Sequence, residues 1–221
     1  LPIPARSLNT HGYKEIASME CGLDGIQLRR ITLLTVFTAL GIALSPITWF
    51  QFLTTKAYPT QHLINALTGV ILGPWWGMLT ALLIGVIRNM LGVGTLYAFP
   101  GGIPGALIVG LTYMITSRSR NRFLRYSAAL MEPIGTVLIG GTFSVFIFAP
   151  AIGDVRILGV LEQRGALEFL PIFWLGWALS SVPGSILGYM ILLALDRSGI
   201  LDRVGVYRVK PRIQARRRGR S

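Results

Sequence analysis

Apolar residues in this chain come in long blocks, interrupted by short polar or Gly/Pro-rich joints. Six blocks stand out, over 31–48, 61–72, 75–91, 102–116, 127–148 and 170–195. A membrane-crossing helix needs roughly 17 to 25 mainly apolar residues, fewer where polar positions face other helices. The pattern therefore predicts six membrane helices joined by short connections. Pro46 closes the first, Gly73-Pro74 makes a tight break between the second and third, and the Gly/Pro-rich stretch 92–105 turns the third into the fourth. Pro183 predicts a kink in the sixth.

Within the blocks, small residues recur every four positions and so share one helix face. Thr35, Ala39 and Ala43 form such a stripe in the first helix, Gly77, Ala81 and Gly85 in the third, and Gly102, Ala106 and Gly110 in the fourth. Stripes of this kind let helices approach closely in lipid. The fifth helix carries Ala128, Glu132, Thr136, Gly140 and Ser144 at the same spacing, and the sixth carries Trp177, Ser181, Ser185 and Tyr189. Residues 150–168, mixed in charge, read as a structured cap and not as a linker.

Composition agrees with this pattern and charge orients it. Of 221 residues, 52% are hydrophobic and 14% charged, and the net charge is +12. A basic chain invites a nucleic-acid reading, but here the basic residues sit in connections and in the tail, without an aromatic-interleaved face, so no nucleic-acid partner is expected. Arg29, Arg30, the four arginines of 118–125 and the basic residues beyond 196 fall on one side, against Lys56, Arg156 and Arg164 on the other. Positive charge collects on the cytoplasmic side. The expected fold is thus an all-α polytopic membrane protein with six transmembrane helices and both termini cytoplasmic. Residues 1–28 read as a flexible leader, 29–196 as the membrane domain and 197–221 as a basic cytoplasmic tail.

Candidate chemistry is sparse. Cys21 is the single cysteine, and His11 and His62 lack metal-site spacing, so neither a disulfide nor a metal or other cofactor is expected. By this topology His62 and Asn65 open the second helix at the outer face, Arg88 and Asn89 close the third there, and Trp174 and Trp177 open the sixth. Arg88 either snorkels to the headgroups or lines a polar cavity. Trp49, Phe50, Trp174 and Trp177 form an interfacial belt, of which a subset can stack on a ligand. Glu132 falls near the cytoplasmic end of the fifth helix, which argues against an ion pair with Arg88, and it reads as a hydrogen-bonded or protonated packing carboxyl. Catalysis is poorly supported. Ser180, Ser181 and Ser185 are present, but His62 is the sole histidine in the spans, and by the depth count no third group is placed to orient it. No phosphate-loop or ATPase motif occurs, so active transport needs energy from a partner.

Four stretches, taken in order, carry a likeness: Lys56-Ala57-Tyr58-Pro59-Thr60-Gln61-His62-Leu63-Ile64-Asn65, then Leu72-Gly73-Pro74-Trp75-Trp76-Gly77, then Arg88-Asn89-Met90-Leu91-Gly92-Val93-Gly94-Thr95, then Ala98-Phe99-Pro100-Gly101-Gly102-Ile103-Pro104-Gly105-Ala106. Together they resemble the ThiW family, substrate-binding S components of energy-coupling factor (ECF) transporters associated with the thiazole precursor of thiamine. The resemblance implies a six-helix subunit of a prokaryotic cell membrane that binds its vitamin precursor from outside. It also implies docking on a transmembrane coupling subunit with two ATPases, with Ala39 and Ala43 facing that subunit. Its ligand would be hydroxyethylthiazole, stacked on Trp49 or Trp174 and hydrogen-bonded by some of His62, Asn65, Arg88 and Asn89. The 49–59 loop would act as lid, and Gln51 on it joins the candidate set. The alternatives are an S component for a different vitamin, an autonomous secondary transporter of a small solute, or an intramembrane enzyme.

Overall fold

The structure is a computed structural model that describes residues 25–52 and 55–204. The expected leader and most of the basic tail lie outside the described residues. Helix α1 spans Gly25–Leu44 and is followed by a short antiparallel hairpin, β1 (Phe50–Phe52) with β2 (Thr55–Ala57), in the register Gln51 opposite Lys56. Then come α2 (Pro59–Ile71), α3 (Pro74–Met90), α4 (Ala98–Thr116), α5 (Arg122–Ile152), α6 (Val155–Arg164), α7 (Ala166–Arg197) and α8 (Ile200–Val204). The described residues are overwhelmingly helical, as expected, and add to the helices only this short hairpin. Its aromatic and β-branched residues suit paired strands, a pattern too short to stand out beside long apolar helices.

Among the described residues, four helices are long and apolar enough to cross a membrane: Gln27–Leu44 within α1, and α4, α5 and α7. Their outer faces are apolar, with Leu138, Ile139, Phe146, Leu175, Ile186 and Met190 among the exposed side chains. An apolar surface of this extent belongs against lipid.

Helix α2 is the centre of the molecule. Eleven of its thirteen residues are buried, and it packs on α1, α3, α4, α5 and α7. At ~1.5 Å per residue it is about 20 Å long, short of the roughly 30 Å hydrocarbon core. A short helix enclosed by others touches little lipid and can carry Gln61, His62, Asn65 and Thr68 inward at no cost to a lipid-facing surface. Gly73, at a φ of 87°, and Pro74 at the start of α3 turn the chain back at once. A Cβ on Gly77 would stand 3.2 Å from the backbone nitrogen of Gly69, so glycine there lets α2 and α3 pack closely.

Helix α5 is not uniform. It passes from α-helix (Arg122–Tyr126) through a 3-10 turn (Ser127–Met131) to π-helical stretches at Ile134–Gly140 and Ser144–Phe148. Ala128, Glu132, Thr136, Gly140 and Ser144 are all buried on it, as the four-residue spacing predicts. Gly135 and Gly140 press against the carbonyls of Pro104 and Pro100 of α4, leaving no room for a side chain.

Residues 150–168 contain α6, with Gly153 and Gly165 in positive φ at its ends. Asp154 caps it by accepting from the Arg156 backbone N–H at 3.1 Å. Ile157 seats it on Val145, Ala149, Phe169 and Phe173. A larger core of α1, α2, α4, α5, α7 and α8 residues, among them Leu34, Val70, Val109, Ala128, Leu192 and Leu201, forms a second cluster. Helix α7 runs unbroken through Pro171 and Pro183.

Candidate functional site

A cavity of about 510 Å3 is walled by the hairpin, the start of α2, the turn after α3, the start of α4, α6 and the middle of α7. Its lining includes Gln51, Tyr58, Gln61, His62, Asn89, Tyr97, Thr136, Asp154, Trp177 and Ser180. That volume lies within the range of small-molecule sites.

One end of the cavity is built on Glu132, a residue with no exposed surface. Its Oε1 accepts from Thr136 Oγ1 at 2.6 Å, from His62 Nδ1 at 2.9 Å and from Asn65 Nδ2 at 3.0 Å. Its Oε2 accepts a short hydrogen bond from Ser181 and a longer one, 3.3 Å, from Ser185. The side chains come from α2, α5 and α7, so one carboxylate ties three helices together. On the cavity side, His62 Nε2 stands 3.2 Å from Ser180 Oγ, which also donates to the Trp177 carbonyl at 3.1 Å.

Two expectations from helix depth are overturned here. His62 and Glu132 were placed near opposite membrane faces, and no group was available to orient the histidine; the two side chains touch. The reason is length. Helix α5 starts at Arg122 and not at 127, so Glu132 lies about 15 Å along it at ~1.5 Å per residue, while the short α2 begins deep in the protein. Ser180, His62 and Glu132 therefore stand in line, as in a hydrolytic triad.

The other polar end centres on Arg88, which is also wholly buried and so does not snorkel. Its Nη1 donates to Gln61 Oε1 at 2.5 Å, and its guanidinium carbon lies 3.7 Å from the centre of the Tyr58 ring. Gln61 in turn donates to the Ala98 carbonyl at 3.3 Å, and the Tyr58 hydroxyl to the Val93 carbonyl at 2.6 Å. Arg88 Nε and Nη2 have no partner among the described residues. Arg88 is thus one layer behind the wall, holding two side chains that face the cavity. No ion pair joins it to Glu132 among the described residues.

The remaining candidates separate. Asn89 lines the cavity and fastens the turn after α3 by donating to the Gly85 and Thr95 carbonyls at 2.8 and 3.1 Å. Gln51 also lines it, and Asn65 lies behind His62 on Glu132. Trp49 is 44% exposed and outside the lining. Trp174 packs beside Gly141, and its neighbour one turn on, Trp177, supplies the cavity's indole. Tyr58, Gln61, Thr136 and Ser180 enter the lining without having been singled out as ligand residues. The four-residue stripes through Glu132 and Thr136 and through Trp177 and Ser181 were the legible signal for this face.

At the rim, Tyr97 donates to Asp154 Oδ2 at 2.9 Å, and Arg156 reaches the same oxygen at 3.2 Å. Partial burial pushes the Asp154 carboxyl up, but the hydrogen bonds from Arg156 and Tyr97 outweigh it and hold the group below the usual carboxylate range. Burial, followed by the hydrogen bond to Asp154, pushes the Tyr97 phenol above its ordinary value. The contact latches α6 to the start of α4 beside the cavity.

A family model described as thiamine-precursor transporter protein (ThiW) matches residues 31–198. The chain belongs to the ThiW family. Comparisons with curated proteins and with solved structures gave no match. As a member of ThiW, the protein is a multi-pass membrane protein of a thiamine-precursor transporter family, and the cavity is its candidate substrate site. Membership in a transporter family speaks for carriage and against catalysis as the role of the aligned Ser180, His62 and Glu132.

Proposed function

We propose that this ThiW member is the substrate-binding S component of an ECF transporter, and that its cavity takes hydroxyethylthiazole from the outer face of a prokaryotic cell membrane. The observation that carries this reading is a cavity of about 510 Å3 with one indole and several fixed polar groups, in a chain of a thiamine-precursor transporter family. The thiazole ring stacks on Trp177, and its polar atoms meet His62, Ser180, Gln61 and Asn89. The hairpin, which brings Gln51 to the wall, is the lid. In this reading α2 and α3 complete six crossings, shortened because they pack inside other helices, and both termini are cytoplasmic.

Energy comes from a coupling subunit and two ATPases. Helix α1 offers them a face: Thr35, Ala39 and Ala43 are exposed on it, while Leu34, Thr38, Gly41 and Ser45 are buried on the opposite side. Small exposed side chains let a partner helix approach closely.

The test is equilibrium binding of radiolabelled hydroxyethylthiazole to purified protein, followed by uptake into vesicles with and without the coupling module. Binding should be lost or much weakened in Asn65→Ala and Arg88→Ala, and uptake should need the module and ATP. Unchanged affinity in both variants overturns the site, and uptake by the chain alone favours a secondary transporter.

A further inference from the structure

Glu132 and Arg88 are the two wholly buried side chains with formal charge among the described residues; His62, at 8% exposure, is hydrogen-bonded to Glu132, and the Tyr58 phenol ring lies on Arg88. An arginine stays protonated. The groups on Glu132 are all able to donate, and an ionised carboxylate is the form that accepts without giving a proton back. With Glu132 negative and Arg88 positive, the buried charge cancels if the His62 imidazole is neutral. A protonated ring would add a second cation inside a low-dielectric wall. A neutral imidazole facing a carboxylate must place its proton on the nitrogen that meets it. That nitrogen is Nδ1, at 2.9 Å from Glu132.

We infer that Glu132 is a positioning residue that holds His62 in the Nδ1–H tautomer, so that a bare Nε2 faces the cavity as a hydrogen-bond acceptor and selects ligands bearing a hydroxyl. Nε2 already has Ser180 Oγ at 3.2 Å, and the Ser180 hydroxyl has a second acceptor in the Trp177 carbonyl. An incoming hydroxyl therefore takes the Nε2 lone pair while Ser180 turns to its own helix, so that neither Nε2 nor the Ser180 hydroxyl is left unmet. An alkyl chain in the same place offers Nε2 nothing. A thiazole ring nitrogen, itself an acceptor, is repelled by Nε2, which fixes the ligand's direction: hydroxyl toward His62, ring on Trp177. This inference rests on the cavity being the thiazole site proposed above.

Two measurements test it separately from that reading. In full-length protein labelled with 15N-histidine, with His62 assigned by a His62→Gln control that leaves His11, the ligand-free His62 should show a protonated Nδ1 and a bare Nε2. A proton on Nε2, alone or with one on Nδ1, overturns the inference whatever the ligand. In binding assays, hydroxyethylthiazole should be preferred by about twofold to tenfold over the ethyl analogue that lacks the hydroxyl, the worth of one net hydrogen bond, since without it Nε2 returns to Ser180. In Glu132→Gln that preference should fall toward parity, with the tautomer signal redistributed, while both ligands still bind through the indole. Parity in the wild-type protein overturns the hydroxyl selection and leaves the transporter reading intact. If Glu132→Gln does not fold, the wild-type tautomer and the wild-type preference decide. If neither thiazole binds, the proposed ligand and the hydroxyl selection fall together, and the spectrum alone judges the tautomer.

Discussion

The two polar ends of the cavity wall bury opposite charges in opposite ways. Glu132 is saturated, with donors from three helices converging on one carboxylate, whereas Arg88 rests on an aromatic ring and one amide oxygen and keeps two donors unpartnered. The difference reflects what each contributes. A carboxylate that several helices share is a structural joint, and removing it strands every donor that served it. An arginine held by a few contacts behind Gln61 and Tyr58 acts mainly on those two side chains, which face the cavity. Similar burial thus conceals a joint at one end and a support for the binding wall at the other.

The sharpest way to break this contrast is to delete each charge. Glu132→Leu should destabilise the protein by about 3–5 kcal/mol, the usual cost of leaving a buried network without its acceptor, read as a fall in melting temperature in detergent. Arg88→Met removes a cation two of whose donors are already unpartnered and should cost less, about 1–3 kcal/mol, while ligand affinity drops because Gln61 loses its anchor. Equal destabilisation by both, or a larger effect at Arg88, would mean that the carboxylate is not the joint.

A smaller effect separates neighbouring serines. Ser181 donates to Glu132 and Ser180 does not, so Ser181→Ala should cost about 1–2 kcal/mol and Ser180→Ala within about 1 kcal/mol. The same pair tests the triad alignment. Ser180 should not react with a fluorophosphonate, and covalent labelling lost in Ser180→Ala would turn the reading from carriage to hydrolysis.

The mildest effect is expected at the rim. Because the folded Asp154 carboxyl lies below its ordinary range, its stabilising latch is present above the unfolded value, near pH 4, and is lost as pH falls through the lower folded value. Hydrogen exchange in α6 should therefore stay slow at neutral and mildly acidic pH and rise only in stronger acid. In Asp154→Asn it should be faster throughout, while the Glu132 joint is untouched. Protection in α6 that is the same in both proteins at every pH would remove the latch.

Much of the architecture was legible in the residues. Apolar blocks located the long helices, because a helix buries by its own local period. Four-residue stripes gave the buried faces of α5 and α7 and the close approach of α3 to α2 and of α4 to α3 and α5. The ordered motifs around Tyr58, Gly73, Arg88 and Pro100 named the family that residues 31–198 then matched. Helix depth was not legible. Counting assumed that each helix begins at an exposed end, and α2 does not: it is short, enclosed by other helices, and buried from its first turn. That one fact brought His62 onto Glu132.

By itself, then, the sequence determined which segments are helical, which faces are buried and to which family the chain belongs, since these follow from spacing and motif. Only the tertiary structure decided that the carboxylate of α5 meets the imidazole of α2, that Trp177 and not Trp174 reaches the cavity, and that Arg88 stands behind its wall. Each depends on where one helix lies along and around another, and no local periodicity carries that information.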